Sequence, residues 1–456
     1  MIPLRRIALL SPPIGNGNLG DEAIVAAVIQ NIRRCQPHAA IYVISPNPDE
    51  TRKRHGIEAY PIASMPRQVP GLEGDDSSTR VVQMTTRPRD IGLWKRARAV
   101  LRRFPLVYRL LKVIHAMPNT ALALLRELAF LTASWKQLKD TDLIVLAGSG
   151  PLCDHWYGPF HYPYTIFKWS LLAKASRIPM AFLSVGAGPL RSRLSRLLVR
   201  ASLALASYRS ARDVTSRQIL DDLGLFGETP VFPDLAYGLE IALPPPRRRS
   251  HRAIVGVNPF PHFDPRFWPE SDPVKYQRYI TCLASFTTWL IHNDYRVLLF
   301  PTQIRADVRV IHDLKRLISH DTANLTQSLL ELPIHDVPEL LSALALTDVV
   351  VATRFHGILL SFLLNRPVLG ISNHHKMSDL MRSMGQSQYL LDIDSITFES
   401  LTDRFTLLES NREAVTRELA HHVTEFRRAL DQQYTALLST SPSLLSPNGT
   451  PVSFTC

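Results

Sequence analysis

Short apolar runs alternate along the chain with longer segments in which apolar residues recur at the period of a helix. The first run, Ile7–Leu10, precedes a helical pattern over Glu22–Arg34, and the same order repeats several times. The apolar runs that we predict as strands are 7–10, 41–44, 143–146, 179–185, 253–257, 296–300, 348–352 and 367–371. Such alternation is typical of parallel β-α-β units, so the sequence predicts an α/β protein.

One segment, Ala242–Arg252, interrupts this pattern with three prolines followed by four arginines and a histidine. We interpret it as a linker between an N-terminal domain over 1–241 and a C-terminal domain over 253–400. A final helix is predicted over 401–438 and a disordered tail over 439–456. Two doubly wound domains joined in this way face a cleft, in which ligands bind outside the carboxyl ends of the strands.

A helical, basic insertion interrupts the N-terminal domain at about 62–140. Residues 65–90 are polar and show no period, whereas 93–139 are rich in leucine and in basic residues. Two interpretations stay open for the second stretch. In the first, the stretch is a basic amphipathic helix that lies on an anionic membrane surface and gives a peripheral membrane contact. In the second, it packs on its own protein and its basic face is solvated.

The 456 residues carry a formal net charge of +12. No recognisable nucleic-acid module carries this charge, so we expect an anionic membrane surface or a small anionic substrate as partner and no nucleic acid. The apolar run before Ser11 is too short for a signal peptide, and no stretch approaches the ~18 apolar residues of a membrane span. The four cysteines are scattered, so we expect reduced thiols, no metal and a cytoplasmic protein.

Glycine-bearing segments follow three of the predicted strands in the N-terminal domain. The residues that we single out in them are Asn18, Gly20, Asp21, Gly148, Gly150 and Gly186. Glycine lets backbone N–H groups approach a ligand closely, and the start of a helix favours an anion. Asp21 fits two roles, since it is either the N-cap of the first helix or a ligand contact. Together these segments predict one wall of the cleft, on its acceptor side.

Basic side chains follow other predicted strands. Arg212 precedes an aspartate, so it either forms a structural ion pair or points into the cleft to bind carboxylate or phosphate. Arg354, Phe355 and His356 follow a buried strand and open an apolar helix, where the cost of burying two basic groups favours a ligand. The helix start should lower the pKa of His356, and a bound anion should raise it. Lys376 follows the next strand and supplies a further positive charge.

Taken in order, these motifs resemble those of the polysaccharide pyruvyl transferases. The matching segments are GNLGDEAI at 17–24, SVGAGP at 184–189, RDVTS at 212–216, PDLAYGL at 233–239 and the R-x-H turn at 354–356. The resemblance implies a GT-B-like fold of two Rossmann-like domains, with phosphoenolpyruvate as co-substrate and no cofactor. It also implies a donor site formed by Arg212, Arg354, Phe355 and His356. Ser149 departs from the family pattern, which commonly has glycine there, and a small residue should be tolerated.

The function that this resemblance implies is transfer of a pyruvyl group to two hydroxyls of a sugar, with a ketal as product. The acceptor would belong to a polysaccharide or a lipid-linked oligosaccharide. His356 is expected to protonate C3 of the enolpyruvyl group, with Lys376 as a further donor contact. Asp21 or Asp234 is the candidate base toward the sugar. Two alternatives stay open, namely a nucleotide-sugar glycosyltransferase of the same shape and a non-catalytic protein bound to a membrane surface.

Overall fold

The structure, a computed structural model, describes residues 4–64, 122–154, 158–225, 227–241, 252–268, 271–318 and 328–439. The predictions for the tail, for nearly all of the linker and for the first two thirds of the insertion lie outside these residues. The chain forms two compact units. The larger comprises residues 1–62, 66–72 and 140–456, and the smaller comprises 63–65 and 73–139.

The first half of the larger unit is built on one parallel sheet. Its strands are β1 Arg6–Leu10, β2 Ala40–Ser45, β3 Glu58–Pro61, β4 Leu143–Ala147, β5 Met180–Val185 and β6 Tyr208–Ala211. They pair in the order β3-β2-β1-β4-β5-β6, and every pair is parallel. All five residues of β4 and all six of β5 are buried, as expected for strands that are covered on both faces.

The second half repeats this architecture. Its strands are β7 Ile254–Asn258, β8 Arg296–Leu299, β9 Leu329–Leu330, β10 Val349–Ala352, β11 Val368–Ser372 and β12 Leu390–Asp392. They pair, again in parallel, in the order β12-β11-β10-β7-β8-β9. In each sheet the strands are added first on one side of the first strand and then on its other side. Open α/β sheets bind ligands at the point where this order reverses. The predicted α/β class with two sheets is confirmed.

Helices cover the sheets. In the first half they are α1 Leu19–Cys35, α2 Pro48–His55, α4 Tyr162–Ala175, α5 Arg193–Ala204 and α6 Val214–Asp221, and α3, over 122–137, lies outside this half. In the second half they are α7 Pro273–His292, α8 Ala306–Ile318, α9 Val337–Ala345, α10 Phe355–Leu363, α11 His375–Ser383 and α12 Phe398–Ser410, and α13 Arg412–Ser439 follows them in the chain. Within the described ranges, none of these helices has the length and apolar character needed to cross a bilayer. Helix α3 belongs to the smaller unit, where Ser64 Oγ donates to Glu127 Oε2 at 2.6 Å.

The single helix predicted over 401–438 is wrong. The chain turns at Asn411, and α12 and α13 are separate helices. Helix α13 then returns to the first sheet, where Gln433 Nε2 donates to Ser210 Oγ at 2.8 Å. Arg427 Nε donates to the Tyr237 carbonyl at 3.1 Å. The last helix that the structure describes is therefore part of the core of the first half.

Main-chain pairing joins the two halves beside the start of α1. Leu19 N donates to the Thr302 carbonyl at 2.8 Å, and Ile304 N donates to the Gly17 carbonyl at 2.9 Å. We call residues 17–19 and 302–304 the interdomain bridge. Because α1 begins inside this bridge, the bridge fixes the first turn of α1 against the second half.

Candidate active site

Asn18 and Asp21 form the first turn of α1. Asn18 Oδ1 accepts a hydrogen bond from Gly20 N at 3.1 Å, so Asn18, and not Asp21, is the N-cap. Asp21 is buried and accepts hydrogen bonds from Asn18 Nδ2 and Ser149 Oγ, both at 2.6 Å. Burial raises the pKa of Asp21, although His356 and the Ser149 hydroxyl partly oppose this rise. The N-cap interpretation of Asp21 is therefore wrong.

Three glycines give basic side chains room to lie against the backbone of the first half. A Cβ at Gly20 would lie 2.0 Å from His356 Nδ1, and a Cβ at Gly186 would lie 2.7 Å from Arg212 Nη2. A Cβ at Gly150 would lie 3.0 Å from Lys376 Nζ. Gly148 differs, because its neighbours are the apolar side chains of Leu235 and Ile24. The structure thus brings Gly20, Gly150 and Gly186 to the basic groups and leaves Gly148 in the core.

Arg212 lies at the end of β6 and is held by two carboxylates. Its Nη1 donates to Asp234 Oδ2 at 3.2 Å, and its Nε donates to Asp213 Oδ2 at 3.3 Å. The guanidinium also stacks 4.6 Å from the ring centroid of Phe355 in the other half. Nη2 is buried and has no hydrogen-bond partner in the described part of the chain. The structural ion pairs of Arg212 are confirmed. Its role in binding a carboxylate or phosphate stays a prediction, for which Nη2 is left unpaired.

His356 lies in the first turn of α10 and meets the first half across the cleft. Only 9% of the residue is exposed, and its Nε2 is buried without a hydrogen-bond partner among the described residues. Burial lowers the pKa of His356, and the carboxylates of Asp234 and Asp21 act against this, whereas Arg212 lowers the pKa further. The pKa falls in the direction predicted, but burial is the main cause rather than the start of the helix.

Lys376 lies in the first turn of α11, near Arg212. Burial lowers its pKa, and the nearby Arg212 guanidinium lowers it further. None of the side chains that the structure describes forms an ion pair with Lys376 Nζ. His374 caps α11 by accepting from Lys376 N at 3.3 Å. Over the described ranges, no three His, Cys, Asp or Glu residues form a group that could hold a metal ion.

The structure does not place Arg354 with these groups. Asp307 at the start of α8 accepts hydrogen bonds from both Nε, at 3.1 Å, and Nη2 of Arg354. The guanidinium lies 4.4 Å from the ring centroid of Phe260. Asp307 is fully buried and also accepts from the backbone N–H of Thr302 and of Gln303, at 3.0 and 2.8 Å. Arg354 is therefore tied to the interdomain bridge, and only the N–H groups that do not face Asp307 are left for a donor.

Sequence reasoning missed Asp307. An acidic residue in the first turn of a helix is common and has an ordinary explanation in the helix dipole. Its link to Arg354 spans 47 positions, and the sequence carries no signal for it.

A cavity of about 340 Å³ opens beside Arg212, Asp234, Phe355 and Lys376. The side chains of Phe232, Tyr237 and Phe426 form much of its apolar wall. The Tyr237 hydroxyl is buried, and no group in the described ranges bonds to it. Four of the residues predicted from the sequence thus line one cavity that has apolar walls and a basic side, as ligand pockets commonly have.

Comparison with known proteins identifies a family. The family model of the polysaccharide pyruvyl transferases matches residues 18–375, which is most of the chain. No curated protein sequence matches the chain.

Solved structures share the fold. The UDP-GlcNAc 2-epimerase from Neisseria meningitidis bound to UDP-GlcNAc has a TM-score of 0.52 at 10% identity, covering 95% of this chain and 100% of its own. A putative UDP-N-acetylglucosamine 2-epimerase from Listeria monocytogenes has a TM-score of 0.55 at 10% identity, with coverages of 96% and 98%. Similarity at this level shows the fold alone. It confirms two Rossmann-like domains of GT-B type.

Proposed function

The chain belongs to the polysaccharide pyruvyl transferase family, and we propose that it transfers a pyruvyl group from phosphoenolpyruvate to two hydroxyls of a sugar. One observation supports this most. Arg212 Nη2 and His356 Nε2 belong to one basic cluster, are buried, and lack a hydrogen-bond partner within the described residues. A buried polar group without a partner costs about 1–3 kcal/mol, and a bound anion would remove that cost.

Phosphoenolpyruvate carries a carboxylate and a phosphate on a three-carbon unit, so it needs several cationic contacts in a small space. Arg212 Nη2 and Lys376 Nζ lie against the backbone at Gly186 and Gly150, where a side chain would block the approach. We assign the two anionic groups of the donor to these two side chains. Arg354 offers the donor fewer N–H groups, because Asp307 accepts from its Nε and from its Nη2.

In the proposed reaction, His356 Nε2 gives a proton to C3 of the enolpyruvyl group, and C2 becomes an oxocarbenium centre. A sugar hydroxyl adds to C2 and loses its proton. The C2–O bond to phosphate then breaks, and the leaving phosphate takes the electron pair. A second hydroxyl of the same sugar attacks C2 and closes the ketal, and its proton passes to His356 Nε2, which restores the acid. The cationic cluster stabilises the charge that develops on the leaving phosphate.

Asp21 is our choice for the base that accepts a proton from the sugar. Its raised pKa brings the carboxylate closer to the range in which a base works efficiently near neutral pH. Asp234 is less suited, because its Oδ2 accepts from the charged guanidinium of Arg212 at 3.2 Å. The side chains that donate to Asp21, Asn18 and Ser149, are neutral and therefore hold its carboxylate less strongly. We place the sugar acceptor, free or lipid-linked, in the cavity of about 340 Å³ that Arg212, Asp234 and Lys376 line.

A nucleotide-sugar glycosyltransferase is the main rival. Such an enzyme needs a carboxylate in the second domain to bind the ribose hydroxyls, and the sequence offers Asp379. In the structure, Asp379 accepts from Thr215 Oγ1 and from Arg382 Nη1, both at 2.8 Å. Asp379 is thus already bonded to two protein donors, whereas Arg212 Nη2 and His356 Nε2 have no partner among the described residues, so the unpaired groups of the site favour an anionic donor over a ribose.

Titration calorimetry with phosphoenolpyruvate and with UDP-glucose separates the two functions. We expect phosphoenolpyruvate to bind, and Arg212→Gln to weaken that binding at least about tenfold, because a hydrogen bond to a charged group contributes about 1.5–3 kcal/mol. Arg316→Gln is the matched control, since its side chain is 77% exposed and far along the sequence from the cluster. Binding of UDP-glucose without binding of phosphoenolpyruvate would refute the proposal.

The product provides a second test. Mass spectrometry of the surface glycan from cells with and without the gene should show one ketal-bound pyruvate that depends on the gene. The His356→Ala variant should not restore it, although donor binding survives. A glycan that keeps its pyruvate after deletion of the gene would rule out this reaction as its source.

A further inference from the structure

Helix α5 exposes arginines and leucines on the same face. Its buried side consists of Ser195, Val199, Ser202 and Leu203. On the opposite side Leu197 is 62% exposed and Leu194 is 38% exposed. Because side chains three or four positions apart are neighbours on a helix, Leu197 lies between Arg193 and Arg200. This mixture is unusual for a solvated helix face, on which apolar residues are normally scattered singly.

An exposed phenylalanine lies in a segment that is bonded to the start of α5. Asp154 accepts hydrogen bonds from Arg191 N and Ser192 N, both at 2.9 Å, and its own carbonyl accepts from Gly158 N at 2.9 Å. The segment that leads into α4 is thereby held next to the first turn of α5. Phe160 in this segment is 66% exposed. We define the α5 surface as Phe160, Arg193, Leu194, Arg196, Leu197 and Arg200.

The charge of the α5 surface has one sign. Neither an aspartate nor a glutamate occurs between 190 and 206. Arg196 Nη2 donates to the Asp222 carbonyl at 3.0 Å. Arg193 and Arg200 form no ion pair with any residue that the structure describes. Two free cations therefore flank the exposed leucines.

We propose that the α5 surface binds the headgroup region of an anionic lipid bilayer. Each arginine would lie near lipid phosphates, while Phe160, Leu194 and Leu197 would enter the boundary between headgroups and acyl chains. A nucleic acid would satisfy the arginines as well, but its phosphates would leave the exposed leucines in water. A bilayer matches both the charge and the apolar side chains.

This surface lies next to the candidate active site along the chain. Segment 184–189, which ends β5, contains Gly186 and leads directly into α5. Gly186 lies against Arg212. Docking through α5 would therefore bring the mouth of the cleft close to the membrane, where a lipid-linked sugar is presented. Only this last step rests on the proposed function, because docking itself does not depend on the reaction.

Sedimentation of the full chain with vesicles tests the docking. We expect binding to vesicles of phosphatidylglycerol and phosphatidylethanolamine, and much weaker binding to phosphatidylcholine alone. One cation near an anionic surface contributes about 1 kcal/mol, which is about fivefold in affinity. The double variant Arg193→Gln/Arg200→Gln should therefore bind about 25-fold more weakly. Leu197→Glu should lose at least about tenfold, because it removes an apolar contact and adds a negative charge.

Matched controls come from exposed residues elsewhere. Arg316→Gln removes a cation whose side chain is 77% exposed, and Val274→Glu changes an apolar residue that is 77% exposed. Both should bind vesicles as the unmodified protein does. Phosphoenolpyruvate binding, measured on every variant, reports whether the site is intact and keeps the two proposals separate.

Three results would overturn the docking proposal. The first is an unmodified protein that does not sediment with anionic vesicles. The second is unchanged vesicle binding by the double variant and by Leu197→Glu, which would assign membrane binding to another part of the chain. The third is RNA binding that is lost in Arg193→Gln/Arg200→Gln but kept in Leu197→Glu, which would favour a nucleic-acid partner.

Discussion

Replacing Gly20 by alanine tests how the two halves form one site. A Cβ at this position would lie 2.0 Å from Nδ1, 2.1 Å from Cγ and 2.5 Å from Cβ of His356. Real Cβ atoms are essentially never closer than 3.0 Å to such neighbours, so the imidazole would have to retreat by about 1 Å. The backbone at residue 20 cannot move away from His356 instead, because the interdomain bridge fixes the first turn of α1.

The expected cost follows from this displacement. A 1 Å misplacement of a catalytic group costs about 100-fold in rate, so we expect Gly20→Ala to lose about two orders of magnitude in turnover. Overpacking lowers the free energy of unfolding by about 1–3 kcal/mol, and alanine in place of glycine in a helix raises it by about 1 kcal/mol. The free energy of unfolding should therefore fall by up to about 2 kcal/mol.

A second variant isolates the cause. His356→Gly removes both the ring and the Cβ that Gly20→Ala would meet. In that background only the helix preference of alanine remains, so Gly20→Ala should raise the free energy of unfolding by about 1 kcal/mol. Urea denaturation of the unmodified protein, the two single variants and the double variant measures this double-mutant cycle. If Gly20→Ala destabilises both backgrounds equally, the close approach of Gly20 and His356 is wrong.

Three other predictions concern the candidate active site and the residues beside it. Burial lowers the pKa of His356 in the free protein, and a donor phosphate should raise it. Donor binding should therefore take up a proton, and the affinity for the donor should rise as the pH falls from the pKa of the bound state to that of the free protein. Calorimetry in buffers of different ionisation heat should show this proton uptake, and His356→Gln should abolish it. Asp307→Asn and Arg354→Gln should each reduce turnover, and the double variant should be no worse than either single one; purely additive losses in kinetic assays would assign Arg354 to the donor instead. Ser149→Gly should relieve about 1 kcal/mol of left-handed backbone strain, since Ser149 has φ +61°, yet it removes the hydrogen bond that lowers the pKa of Asp21. The acidic limb of the activity profile should then move to higher pH, and an unmoved limb would rule out Asp21 as the base.

The elements that sequence patterns predicted best are the buried strands. β4 and β10 are short apolar runs with few alternatives, so their positions agree with the prediction to within a residue. α2 was not predicted, because it is a polar helix in which only Thr51 is buried. The break at Asn411 was missed for another reason, since neither proline nor glycine marks it. Its position depends on how α12 and α13 pack.

The site was predictable only in part. Glycine and basic residues at strand ends carry a local signal, and Gly20, Arg212, His356 and Lys376 do meet in space. The donor role that we gave Arg354 rested on the same signal. Its partner Asp307 lies on another helix, and local patterns do not report such pairings.

The path of α13 limits how this protein can be divided or recombined. A chimera cut at the linker would keep the strands and α4–α6 of one parent but would take α13 from the other. Gln433, which bonds to Ser184 and Ser210 beneath the first sheet, would then face a foreign surface. Exchanging acceptor preference between relatives should therefore require the last helix to travel with the first half, as a discontinuous module.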